Sequence, residues 1–281
     1  MTLLEAIVLG LIQGLTEFLP ISSTAHLRIV PALMGLVDSN HHWNDPGAAA
    51  SAIIQLGTLV ALLIYFRHDI VQLAAAFIRG LVRGKPFETF EARLAWYGVL
   101  GTIPIMVGGL LFEDLIVTQV RSLWIIAAAL IGLALILYLA ERASSHQRKV
   151  EQVTWVDAIV MGVAQSLALV PGASRSGTTI TAGLLLGMTR ETAARLSFLL
   201  SIPAVAGSGL YELYKVHHSL GADLNSELSL LVATMVSLVS GYAAIAFLMR
   251  YLRTHTTYIF IWYRIGLGIL LIIMLIAGKI S

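Results

Sequence analysis

The sequence predicts an all-α polytopic membrane protein, with six transmembrane helices and two re-entrant helical hairpins in an inverted repeat. The first observation behind this prediction is composition, since 58% of the 281 residues are hydrophobic and only 12% are charged. Soluble domains carry about 25% charged residues, so this chain has too few polar side chains to cover a water-facing surface. The other two observations are long uncharged segments and paired apolar stretches broken by proline. Together they exclude a soluble enzyme, a disordered chain and a secreted disulfide scaffold.

Six segments are long and apolar enough to form transmembrane helices, which need about 20 residues to cross the hydrocarbon core. Five of them contain no Asp, Glu, Lys or Arg, and the sixth contains only Arg264. In chain order the six are Ala48–Phe66, Leu94–Phe112, Leu123–Ala140, Leu196–Tyr211, Leu228–Met249 and Tyr258–Ala277.

Two further pairs of short apolar segments are each broken by a polar stretch that begins with proline. The first pair is Leu3–Leu19 with Leu27–Val37, and the second is Val156–Val170 with Thr178–Met188. Non-helical backbone at membrane depth is tolerated only where it is buried in protein or lines a wet cavity. Each broken pair therefore predicts a re-entrant hairpin rather than two crossings.

The basic residues of the connections predict the orientation. Lysine and arginine concentrate at residues 67–93, 141–154 and 250–257, and the positive-inside rule places these connections in the cytoplasm. The six crossings then leave both termini outside, with the first hairpin entering from the outer face and the second from the inner face. The net charge of only +2 argues against nucleic acid as a partner, because such binding needs a basic face.

A hairpin followed by three spans, occurring twice in opposite orientation, is the pattern of an inverted repeat. We therefore predict a single membrane domain, residues 1–281, with halves of roughly 1–150 and 151–281. Gly10, Gln13 and Leu15 recur 152 residues later as Gly162, Gln165 and Leu167, while Pro20 and Ser23 recur one residue closer as Pro171 and Ser174. Repeats of this kind place a polar site near the midplane, where the two halves meet.

The break in the first hairpin carries the side chains expected of a reaction site. Glu17 is followed by Ser22, Ser23, Thr24 and His26. Titratable groups inside an apolar hairpin are costly in lipid, so their presence indicates a function. The alternative is structural: the hydroxyls cap the next helix, and Glu17 pairs with His26. Capping is the favoured role for Ser22 alone, whereas function is favoured for Glu17 and His26.

A divalent cation is a further expectation at this hairpin. Gln13 and Glu17 are four residues apart and so share one helix face. Their oxygens suit Mg²⁺ or Ca²⁺ that also touches substrate phosphates. The chain offers too few carboxylates here for a site built from protein ligands alone.

The break in the second hairpin predicts an anion site. Ser174, Arg175, Ser176 and Thr179 open a helix directly after a Pro-Gly pair, and helix starts bind phosphate through their backbone N–H groups. The arginine adds a fork of donors that matches phosphate oxygens. The alternative is that Arg175 pairs with Glu17 as a structural ion pair between the halves, and both roles are compatible in the empty site.

These groups suit phosphoryl transfer to water, in which positioning and charge stabilisation dominate. The expected catalytic residues are Glu17, Ser23, His26 and Arg175. The expected substrate-binding residues are Ser22, Ser174, Arg175, Ser176 and Thr179.

The two hairpins also resemble a known family. Residues 13–26 are similar to the signature of the bacterial undecaprenyl-diphosphate phosphatases, or bacitracin-resistance proteins: a Glu or Gln, three residues, a Glu, then Pro-x-Ser-Ser-Thr and a His. Residues 171–179 match a second signature, Pro-Gly-x-Ser-Arg-Ser-x-x-Thr, and Tyr263-Arg264 resembles a third, weaker feature. Gln13 takes the form of the motif that lacks the first carboxylate, which weakens any mechanism requiring two carboxylates.

The resemblance implies a multi-pass enzyme of the bacterial plasma membrane whose site opens to the outer face. Its expected substrate is a C55 polyprenyl diphosphate, converted to the monophosphate carrier used for cell-wall glycans with support from a divalent cation. In the mechanism that the sequence favours, His26 is the general base for Ser23. Attack by His26 itself is the open alternative, and in either case Glu17 orients or deprotonates the attacking group, directly or through a cation.

Two other functions compete with this one. A polyprenyl-phosphate flippase would use the same phosphate-binding site, since inverted repeats with broken helices are typical of transporters. A non-catalytic membrane scaffold would leave the buried Glu, His and Arg set without a reason. Runs of small residues such as Ala127–Ala129 suit packing within the chain or between two copies equally, so a homodimer is also open.

Overall fold

The computed structural model describes residues 1–33, 47–112, 122–216, 224–278 and 280. Within these ranges the chain forms eleven α-helices and two 3₁₀ turns, Val150–Gln152 and Leu167–Leu169. The helices are α1 (Leu3–Phe18), α2 (Ser23–Leu33), α3 (Gly47–Tyr65), α4 (Arg67–Val82), α5 (Phe90–Leu111), α6 (Leu123–Ala143), α7 (Trp155–Ser166), α8 (Arg175–Leu185), α9 (Arg190–Val216), α10 (Leu224–Tyr251) and α11 (Tyr258–Ile276). The all-α prediction is confirmed, and the last part of the predicted first hairpin, residues 34–37, lies outside the described residues.

The apolar helices agree with a multi-pass membrane protein. Five of the described helices, α5, α6, α9, α10 and α11, are long and apolar enough to cross a membrane, and α3 with α4 passes the same test as a bent pair. Since α3 alone covers 19 residues, we assign the sixth crossing to α3. The short helices α1, α2, α7 and α8 form the two broken pairs.

Helix α4 lies in the connection at residues 67–93, for which the sequence predicted only a basic segment. It is bent by 81° from α3. Its side chains Val71, Ile78 and Val82 are exposed, whereas Ala76 and Gly80 are buried. A helix with charged ends and an exposed apolar face is typical of the membrane surface rather than of a crossing.

Glycines allow α1 to pack closely against α10. A Cβ added at Gly10 would lie 2.4 Å from the carbonyl oxygen of Ala233, and one at Gly14 would lie 1.9 Å from Oγ of Ser240. These distances are too short for any side chain. The close approach fixes α1, and with it the end of the first hairpin, against the second half of the chain.

The first helix of each hairpin packs against a span of the opposite half. Helix α1 contacts α10, and α7 contacts α5. In the second pair, a Cβ added at Gly162 would lie 2.5 Å from the carbonyl oxygen of Gly101. Gly10 and Gly162, which the sequence paired as repeat-related, therefore have the same packing role.

Ion pairs join the helix ends that the charge distribution assigns to the cytoplasmic face. Arg148 donates to the two carboxylate oxygens of Asp157 at 2.9 and 2.7 Å, and this bonding raises the pKa of Arg148. The buried carboxylate of Glu141 accepts hydrogen bonds from Arg190 and from Thr257. These contacts connect the end of α6 to the starts of α9 and α11, and the loop that follows α6 to the start of α7.

Substituting Gly14→Ala is expected to lower stability by about 1–3 kcal/mol, because the added methyl group must push α1 away from α10. The matched control is Gly132→Ala in α6, where nothing lies within 4 Å of the added Cβ. That change is expected to be neutral or slightly stabilising, since alanine favours a helix over glycine by about 0.5–1 kcal/mol. Thermal unfolding in detergent compares the two, and equal melting temperatures would contradict the packing argument.

Candidate active site

Both hairpins turn through a serine whose backbone is in a conformation that L-residues rarely adopt. The φ angle is +74° at Ser22 and +68° at Ser174, which for a residue with a side chain costs about 1–3 kcal/mol. Each serine then caps the helix that follows, because Ser22 Oγ accepts from the Ala25 N–H at 3.4 Å and Ser174 Oγ accepts from the Gly177 N–H at 3.1 Å. Helices α2 and α8 therefore start in the same way.

These capping serines shift the register of the repeat by one residue. The sequence comparison paired Ser23 with Ser174, whereas the backbone pairs Ser22 with Ser174, at the same 152-residue spacing as along α1 and α7. Ser23 and Arg175 are thus equivalent, each being the first residue of its helix. One hairpin presents a hydroxyl where the other presents a guanidinium.

Arg264 of α11 holds both turns together. Its side chain is fully buried and donates to the carbonyl oxygens of Ala173 at 3.0 Å, Gly172 at 3.3 Å and Pro20 at 3.5 Å. The fourth acceptor is the carbonyl oxygen of Ala129 in α6, at 3.3 Å. Carbonyls freed by a break inside an apolar bundle need such donors, because no bulk water reaches them.

Glu17, at the end of α1, is the centre of the polar network between the hairpins. Oε2 accepts from Gln13 Nε2 at 2.7 Å and from Ser23 Oγ at 2.8 Å. Oε1 accepts from Gln55 Nε2 at 2.6 Å and from Arg175 Nη2 at 2.5 Å. The carboxylate therefore bonds a candidate nucleophile through one oxygen and a candidate phosphate ligand through the other.

A cavity of about 610 Å³ opens beside this network. Its polar end is lined by side chains of the two hairpins and α3, and its other walls are mostly apolar side chains of α5, α9 and the turn before α8. The residues of the polar end are Glu17, Ser22, Ser23, Thr24, Gln55, Ser174 and Arg175, and α9 adds Ser208, Tyr211 and Glu212 to the lining. The apolar residues include Ile105, Met106, Leu110, Leu169 and Ala204. The carboxylate, hydroxyls and guanidinium thus meet at one end of an apolar groove.

Five of the predicted site residues line this cavity: Glu17, Ser22, Ser23, Ser174 and Arg175. Ser176 and Thr179 are buried in α8 instead. Ser176 Oγ donates to the Leu19 carbonyl oxygen at 3.0 Å, and Thr179 Oγ1 donates to the Arg175 carbonyl oxygen at 2.7 Å. In this geometry they brace the start of α8 and its contact with the first hairpin.

His26 is also bonded away from the cavity. Its Nδ1 lies 2.7 Å from the Ser22 carbonyl oxygen, and its Nε2 lies 2.6 Å from Oη of Tyr263 in α11. Ser23 makes its hydrogen bond to Glu17. The structure therefore brings Ser23 together with Glu17, while both ring nitrogens of His26 are occupied elsewhere.

Two side chains that matter here, Gln55 and Arg264, were absent from the predicted site. Gln55 lies inside an uncharged predicted span, and Arg264 is the one charged residue of the last. Polar groups are expensive at membrane depth, so each carried a signal that the sequence analysis did not use for the site.

The predicted cation ligands, Gln13 and Glu17, do not fit a cation held by the protein alone. Both oxygens of Glu17 already accept N–H or O–H donors, and Gln13 directs its amide nitrogen to Glu17. Across the described ranges, no three His, Cys, Asp or Glu side chains cluster as a metal site would require. A cation here would therefore need most of its ligands from outside the protein.

Comparison with known proteins identifies the family. Residues 6–270 match the family model described as "Bacitracin resistance protein BacA". The undecaprenyl-diphosphatase of Myxococcus xanthus (strain DK1622) is 57% identical over 282 residues, which cover 100% of this chain and 92% of the relative. The undecaprenyl-diphosphatase of Chlorobium chlorochromatii (strain CaD3) is 54% identical over 288 residues, covering 100% of both chains. The chain therefore belongs to the bacitracin resistance protein BacA family.

Proposed function

We propose that the protein is an integral-membrane phosphatase that hydrolyses undecaprenyl diphosphate to the monophosphate and inorganic phosphate. The observation that carries the proposal is the Glu17 carboxylate, bonded to Ser23 and to Arg175 at the polar end of an apolar groove. The relatives that bear this activity in their names share more than half of the residues. The reaction recycles the lipid carrier for cell-wall synthesis and accounts for the bacitracin resistance in the family's name.

Arg175 is the proposed ligand of the diphosphate, assisted by Ser174 and Ser22 at the cavity wall. Before substrate arrives, the guanidinium is balanced by Glu17. A diphosphate carries more negative charge than one carboxylate and matches the guanidinium fork with paired oxygens. It therefore takes over the guanidinium and leaves Glu17 free to act on Ser23.

Ser23 is the proposed nucleophile and Glu17 its base. As Ser23 Oγ bonds to the terminal phosphorus, its proton moves to Glu17 Oε2 along the existing 2.8 Å hydrogen bond. The bond between the terminal phosphorus and the bridging oxygen breaks, and the lipid monophosphate leaves with the electron pair. The oxygen of a water molecule then bonds to phosphorus as the bond between phosphorus and Ser23 Oγ breaks. Ser23 recovers its proton from Glu17, and both hydrogens of the water leave on the inorganic phosphate. This gives Glu17 the role that the sequence favoured for His26, which becomes a positioning residue.

The apolar walls suit an isoprenoid chain. They come from the C-terminal parts of α5 and α9, where Gly109 and Gly207 keep the groove wide. The substrate tail is long and hydrocarbon and already lies in the bilayer, so van der Waals packing against these walls, rather than transfer out of water, holds it in the groove. A soluble diphosphate gains nothing from these walls.

The same two helices give the proposed orientation. The cavity lies at their C-terminal parts, whereas the ion pairs of Arg190 and Glu141 lie at the opposite ends of the spans. With the basic connections in the cytoplasm, the C-terminal parts of α5 and α9 are toward the outer face. We therefore place the site on the outer side of the bacterial plasma membrane.

A flippase for polyprenyl phosphate is the second candidate. It is favoured because the first helix of each hairpin packs against a span of the opposite half, and inverted repeats with broken helices are typical of transporters. A flippase would not need the hydrogen bond that Ser23 donates to Glu17. Phosphate release in detergent separates the two functions, because transport requires a sealed bilayer and hydrolysis does not.

Glu17→Gln and Arg175→Ala are each expected to lower phosphate release from C55 polyprenyl diphosphate by at least about 100-fold, as the loss of a transition-state ligand does. The control is Arg253→Ala, which removes an exposed ion pair with Glu191 and is expected to leave the rate unchanged. Phosphate release is measured for each variant and for the unsubstituted protein, all purified in detergent. Activity of either site variant within threefold of the unsubstituted protein would contradict the proposed chemistry, and no release from any form would favour the flippase.

Ser23→Ala is expected to abolish turnover, whereas His26→Ala lowers it less. Tyr263→Phe should reproduce the His26→Ala effect, because both remove the hydrogen bond at Nε2. Protein denatured during turnover at mildly alkaline pH, where phosphoserine and phosphohistidine both survive, is digested and searched for phosphate by mass spectrometry, with Ser23 as the expected position. Phosphate on His26, or full activity of Ser23→Ala, would overturn the assignment of the nucleophile.

The divalent cation, Mg²⁺ or Ca²⁺, is proposed to arrive on the diphosphate rather than on the protein. EDTA should then lower phosphate release and added cation restore it. Gln13→Ala should change the rate but leave the half-saturating cation concentration unchanged. A tenfold or greater rise in that concentration would instead place the cation on Gln13 and its neighbour Glu17, and full activity in EDTA would remove the cation altogether.

A further inference from the structure

A second polar cavity, of about 300 Å³, lies between α4 and the start of α5, on the side opposite the candidate active site. The side chains of Arg79, Arg83 and Lys85 line it, together with two carboxylates, Glu88 and Glu91. Lys85 is paired with Glu88 at 3.3 Å. The cavity thus has a net positive lining, and its charge is not fully balanced from within.

With Lys85 paired to Glu88, the two arginines remain against one carboxylate, Glu91, so the positive charge is in excess. Arg79 Nε donates to the Ala75 carbonyl oxygen at 3.1 Å, and among the described residues neither guanidinium has a carboxylate partner. Arg79 lies in the last turn of α4 and Arg83 is the C-cap residue that follows the helix in αR conformation. They are four residues apart and so share one face, where like charges repel. An anion with several oxygens placed between them would remove that repulsion and bond both forks.

The surroundings indicate where such an anion comes from. Leu81 and Val82, between the two arginines in the chain, are 49% and 82% exposed, and Phe87, four residues after Arg83, is 56% exposed. Helix α4 is bent by 81° from the preceding span. Exposed apolar residues beside an unpaired basic cavity fit the boundary between lipid headgroups and acyl chains.

We propose that the cavity between α4 and α5 binds the phosphate headgroup of an anionic phospholipid of the inner leaflet, with Arg79 and Arg83 as its ligands. The acyl chains lie along the exposed apolar residues of α4. This site is separate from the phosphatase chemistry and does not depend on it.

The test uses the purified full chain in detergent, mixed with phosphatidylglycerol or phosphatidylcholine, and native mass spectrometry counts the retained lipids. The unsubstituted protein is expected to retain phosphatidylglycerol at least tenfold over phosphatidylcholine. The double variant Arg79→Gln with Arg83→Gln should lose this preference. The matched control is Arg67→Gln with Arg93→Gln, which removes the same charge from the same segment outside the cavity and should keep the preference.

Equal loss of preference in the two double variants would overturn the proposal in favour of general surface charge. If the double variant Arg79→Gln with Arg83→Gln keeps the preference for phosphatidylglycerol, the proposal is also overturned. If inorganic phosphate raises the melting temperature as much as phosphatidylglycerol does, the site takes free phosphate and the lipid assignment is wrong. Should the double variant fail to fold, Arg83→Gln alone replaces it, with a partial loss of preference as the expected result and no loss as the contrary one.

Discussion

A helix that breaks inside an apolar bundle leaves backbone carbonyls that no bulk water can bond, and this architecture contains two such breaks at one place. Arg264 satisfies carbonyls of both, reaching Pro20 in one turn and Gly172 and Ala173 in the other. One buried side chain therefore sets how far apart the turns lie. That spacing decides whether a hydroxyl on α2 and a guanidinium on α8 can reach the same carboxylate.

The carboxylate they reach is Glu17, and its pairing with Arg175 has two consequences. The residues are 158 positions apart, so the pair ties the first hairpin to the second. Breaking a buried ion pair by removing one partner costs about 3–5 kcal/mol, because the other charge is left uncompensated. Glu17 and Arg175, which are proposed to act in the reaction, therefore also hold the two halves together. An incoming diphosphate must compete with their ion pair, which contributes to the stability of the fold.

The sequence predicted those features of the fold and the site that are visible as polar residues within apolar segments. The broken pairs, Glu17 and Arg175 all departed from their surroundings in this way. It could not predict which side chains meet across the fold: that Gln55 reaches Glu17, or that His26 reaches Tyr263, depends on how α3 and α11 pack. Helix α4 was missed because its charged ends resemble a loop, while its exposed apolar face shows only in three dimensions.

The shared backbone of Ser22 and Ser174 bears on how such a molecule arises. An unusual conformation kept at two corresponding turns is what duplication of one ancestral hairpin would leave behind. Since the next residue is Ser23 in one copy and Arg175 in the other, the copies have diverged into donors of different chemistry. The hydroxyl that bonds Glu17 comes from one copy and the guanidinium from the other, so both halves are needed to build the site.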